Sequence, residues 1–160
     1  MIKEAKQFIL MMNTSIGFSV LSSVAITLCF WGVRSAELND IFRFIIPIIF
    51  WTCLIAEQIC IWRANALRKR LESIPEYKVQ NGKPGIISFM QTKAGKVADV
   101  LFAVSVVLYI AFEIAKFGTR SYQFIVLAII VLSFRMHCTL NGKNFKYKEY
   151  LGLRSKGNDK

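Results

Sequence analysis

A few ionisable residues stand inside long apolar stretches, where a charge is costly and therefore a candidate for chemistry. Glu57 lies about five residues before Trp62, and Arg135 about five residues before Leu140. At ~1.5 Å per residue, each sits roughly 7–8 Å inside the end of its stretch. A Glu57–Arg135 pair would neutralise two charges that could not be tolerated separately. Gln58 and Asp99 fall at a similar depth, and Asp99 also has Lys96 at i−3. At the opposite end, Arg43 and Glu113 each lie about one turn inside an apolar stretch and can pair. Lys116, at i+3 from Glu113, competes for that carboxylate.

The thiols offer less. Cys29, Cys53, Cys60 and Cys138 form no CxxC and stand in apolar surroundings, so a disulfide framework is not expected. Cys60 and Cys138 match in depth and make a candidate thiol pair. Helical phase puts Cys53, Glu57 and Cys60 on one face, and Arg135, Cys138 and Thr139 on another. His137 then points away from Arg135, which argues against a Cys/His metal site. With one histidine, and without GxSxG, HExxH or a phosphate-binding loop, no catalytic constellation emerges. No cofactor or metal is expected.

These residues need apolar helices to hold them. Four stretches fit a bilayer-spanning helix of about 20 residues: residues 14–33, 41–62, 97–117 and 122–140. With 54% hydrophobic residues and a mean hydropathy of +0.43 over 160 residues, too little remains for a separate soluble domain. The expectation is one all-α integral membrane domain, residues 1–160. Its fold would be a four-transmembrane-helix antiparallel bundle, with helices 2 and 3 extending into the cytoplasm. The first stretch reads as a retained anchor, since Arg34 stands where a signal cleavage site needs a small residue. Ser15, Ser19 and Ser23 give it a face of small side chains that lets a neighbouring helix approach closely. Asn13 or Thr14 is suited to cap it, with residues 1–13 leading in along the membrane surface.

The net charge of +11 is distributed unevenly. Lys3, Lys6, the 63–96 loop and the basic 143–160 tail carry nearly all the cations outside the spans. The opposite connections carry Arg34, Lys116 and Arg120. The cation bias predicts a cell-membrane protein with both termini and the central loop cytoplasmic, facing anionic headgroups, and it explains the charge without nucleic acid. Within the loop, Ile61, Ala64, Leu67, Leu71 and Ile74 draw an apolar stripe on a basic helix that Pro75 ends. Arg63, Arg68, Lys69, Arg70, Leu67 and Leu71 are thus candidates for contact with a partner or with lipid. The stripe could equally pack against the terminal segments. Asn81-Gly82 and Pro84-Gly85 suggest turns, with a short hairpin over 77–80 and 86–89 and a helix start near Ser88.

The expected role is a non-enzymatic accessory, regulatory or protective component that contacts a partner membrane protein. The alternative is a small homo-oligomeric transporter or channel using Glu57 and Arg135. An intramembrane enzyme built on Glu57, Cys60 or Cys138 ranks last.

Overall fold

The computed structural model describes residues 1–34, 40–78, 93–115 and 120–157. The connections at 35–39 and 116–119 and most of the central loop, including residues 79–80 and 86–89 of the expected hairpin and the Ser88 helix start, lie outside the described residues. Among the described residues five helices follow in order: α1 (Lys3–Arg34), α2 (Asp40–Glu72), α3 (Lys93–Ala115), α4 (Arg120–Leu140) and α5 (Lys143–Gly157). A short 3-10 turn, Pro75–Tyr77, comes after α2. The first four are long and apolar enough to cross a membrane.

A 3–4 spacing explains how α1 is used. Ala5, Phe8, Met12, Ser15, Ser19 and Ser22 are all buried and recur alternately at three and four residues. That period keeps one seam of a helix against its neighbours over many turns. α2 carries a matching seam of buried Cys53, Glu57, Cys60, Ala64 and Leu71. The seam runs through α1 from its first turn, so residues 3–13 belong to the first helix instead of forming a separate surface segment. Thr14 is not a cap: its hydroxyl donates to the Leu10 carbonyl at 2.9 Å in mid-helix. Three serines of this row bond within α1. Ser15 donates to Met12 O (2.8 Å), while Ser22 and Ser23 donate to Ser19 O (3.1 and 2.7 Å). These three hydroxyls therefore need no partner helix, and the seam stays narrow enough for close approach.

α1 packs along both α2 and α4, and α3 packs along α4, giving the lateral order α2–α1–α4–α3. The outer faces are apolar and exposed, as on α2 at Phe44, Ile48, Ile55 and Trp62 and on α3 at Val100, Val104, Val107 and Ile114. Apolar surface this extensive is at home in hydrocarbon, not in water.

The tightest core lies at one end. Ala5, Phe8 and Met12 of α1 and Ala64 and Leu71 of α2 enclose Phe145, Tyr147 and Leu151 of α5. Phe8 meets Tyr147 edge to face at 5.5 Å, an aromatic geometry worth more than burial alone. Tyr147 and Tyr150 donate to the carbonyls of Tyr77 (2.9 Å) and Lys78 (3.3 Å), tying the 3-10 turn to α5. Ile74 is extended before Pro75, where the proline ring disfavours helix. Asn141 and Gly142 close α4 through bonds to His137 O and Thr139 O. Gly142 O then accepts from Lys146 N as α5 begins. A Cβ at 142 would stand 3.2 Å from Thr139 O, so the turn favours glycine.

Candidate functional site

Glu57 occupies a seam position of α2 and is 3% exposed. The Arg135 guanidinium of α4 forms an ion pair with its carboxylate. Arg135 Nε also donates to Ser19 Oγ of α1 at 3.3 Å, so one arginine links three helices. The small Ser19 leaves room for the arginine to pass α1 on its way to α2. Thr139 Oγ1 donates to Arg135 O at 2.9 Å, within α4. Each charge is compensated, as its position demands. Gln58, one residue on and about 100° around the helix, is exposed and does not join the pair.

A second polar cluster joins α3 to α4. His137 Nδ1 contacts Asp99 Oδ1, and Asn141 Nδ2 donates to the same oxygen at 3.4 Å. A hydrogen on Nδ1 lets the imidazole donate to the carboxylate. Phase shows His137 facing away from Arg135 but does not identify Asp99 as its partner. The usable signal is depth: Asp99 lies about six residues into α3, and His137 about three from the end of α4. Near the other end of these helices, Gln123 Nε2 donates to Glu113 Oε1 at 3.2 Å. The side chain of Arg43, the partner expected for Glu113, lies outside the described residues, as does Lys116.

The thiol pair does not form. Cys60 is buried in the α2 seam, Cys138 is exposed on α4, and both are free. Among the described residues, no group of three His, Cys, Asp or Glu side chains could hold a metal ion.

The basic end of α2 divides by face. Leu71 is fully buried, and Leu67 packs against the same cluster. Neither forms the free contact surface expected of them, because α1 and α5 cover the stripe. Arg63, Lys69 and Arg70 remain exposed. Arg68 is 16% exposed in its side chain and makes three side-chain hydrogen bonds, one of them across the joint to α5. Its Nε donates to Asn144 Oδ1 (2.8 Å), and its terminal nitrogens donate to Glu72 Oε1 (2.7 Å) and Asn65 Oδ1 (2.8 Å). Comparison with known protein families, with curated proteins and with solved structures finds no match to this chain.

Proposed function

We propose that this chain is a non-enzymatic, multi-pass membrane component of accessory, regulatory or protective type, acting through contact with a partner membrane protein. The observation that carries this reading is the closure of the Glu57–Arg135–Ser19 cluster inside helix packing, with both charges matched. Such a cluster fastens helices to one another. Contact then falls to the exposed apolar faces of α2 and α3, not to the covered stripe at the end of α2.

The proposed topology is antiparallel, with both termini and the central loop cytoplasmic. It is supported by the shared cluster of the start of α1, the end of α2 and α5, and by the cations concentrated there. The Asp99–His137–Asn141 cluster favours a second reading, a homo-oligomeric transporter or channel that moves protons or ions along α4.

The deciding experiment is the mass and subunit composition of the full chain purified in mild detergent, followed by reconstitution. A stoichiometric foreign membrane subunit whose binding survives Glu57→Gln supports the contact reading. A discrete homo-oligomer whose flux in proteoliposomes is abolished by Glu57→Gln overturns it.

A further inference from the structure

We propose that the groove between the end of α2 and the α4–α5 turn seats the phosphate of an anionic phospholipid, with its acyl chains lying along α2. The groove has a volume of about 290 Å³. That is the lower end of ligand-pocket sizes, enough for a headgroup but not for the lipid's chains. Met12, Ile61 and Trp62 form an apolar wall, while Arg68 and Lys143 supply two cations. No carboxylate lines it among the described residues. Glu72, the one acid paired to Arg68, is not part of the lining.

The donors needed for a phosphate are present. Three of the N–H groups of Arg68 go to Asn144, Glu72 and Asn65. An arginine has five, so two remain. Those three bonds also hold the guanidinium in place, which reduces the ordering needed on binding. Lys143 is exposed and makes no ion pair among the described residues. The first amides of α5, whose N-terminal turn borders the groove, lack intrahelical acceptors and favour an anion.

The apolar wall selects a lipid over a free phosphate ion. Trp62, 81% exposed, stands where the apolar run of α2 gives way to Arg63, the position of an interfacial tryptophan. Ile55 and Ile59 continue the exposed apolar surface from there along α2. A headgroup in the groove would therefore have hydrocarbon-facing surface directly beside it. The inference rests on the membrane reading alone and is independent of any protein partner.

The test uses the full chain in mild detergent with Trp31→Phe and Trp51→Phe, leaving Trp62 as the only tryptophan. Probes are phosphatidylglycerol and phosphatidylcholine with brominated acyl chains, which quench a nearby indole. Phosphatidylglycerol is expected to quench Trp62 at a lower mole fraction than phosphatidylcholine. Lys143→Gln should weaken that preference about fivefold, the usual effect of one interfacial cation. Lys143→Arg should keep it, as should Lys69→Gln, which removes an exposed cation outside the groove. Millimolar inorganic phosphate should not displace the lipid. Equal quenching by both lipids, an unchanged preference in Lys143→Gln, or displacement by free phosphate would each overturn the proposal.

Discussion

Replacing Arg135 by methionine removes the cation that compensates Glu57 while keeping a long, flexible side chain in the space it fills. Glu57 is 3% exposed, and its carboxylate is left without its ion-pair partner. Removing one member of a buried ion pair destabilises by roughly 3–5 kcal/mol. A charge at the middle of a membrane helix is placed at about 2.5–3.5 kcal/mol on insertion scales. Arg135 lies about five residues from the end of α4, so roughly 7–8 Å of depth separates the pair from the boundary. Depth short of the bilayer centre favours the lower part of both ranges, and the expected loss is about 3 kcal/mol. Glu57→Met is expected to be milder, because Arg135 keeps Ser19 and is 21% exposed in its side chain. The double variant should fall within about 1 kcal/mol of the wild type, since two apolar residues can replace a buried pair at little loss. The assay is reversible unfolding of all four proteins in mixed micelles, with the coupling energy taken from the cycle. A coupling of at least about 2 kcal/mol is expected. If Arg135→Met loses less than about 1 kcal/mol, or the double variant is as unstable as the two single losses added, the clasp reading fails.

Two further outcomes test the terminal core. Phe8→Ala should lose about 3–5 kcal/mol, because it empties a fully buried site against Tyr147. Limited proteolysis that leaves α5 as protected as in the wild type would contradict this. Burial also pushes the Lys148 ammonium below its ordinary pKa, against a smaller opposite effect from Glu149. The charged form is therefore disfavoured by folding at neutral pH, and the penalty fades as pH rises through the lowered folded value toward the unfolded value of 10.5. Lys148→Gln should thus raise the melting temperature at pH 7, with the gain shrinking in alkaline buffer. A gain that grows with pH would reverse the assignment.

Some of this molecule follows from composition along the chain. Apolar length places four helices, and matched depth alone proposes the Glu57–Arg135 contact. Depth depends only on residue number and rise, so the sequence carries it. The apolar stripe of α2 is equally legible, and of its alternative occupants the structure selects the terminal segments. α1 and α5 cover it, and α5 is the harder to read because its lysines dominate a basic, polar segment from which Phe145, Tyr147 and Leu151 turn inward.

What the sequence alone determined is therefore axial: which segments suit a bilayer, where their charges lie in depth, and which end gathers the cations. What the tertiary structure decided is lateral. The order α2–α1–α4–α3 brings Ser19 beside Arg135 and turns His137 toward Asp99. It also leaves Cys138 exposed while Cys60 is buried. Hydropathy changes along a helix axis but says little about which neighbour stands on which side. That choice depends on rotational phase and on side-chain fit across several helices at once, and it exists only when the chain is assembled.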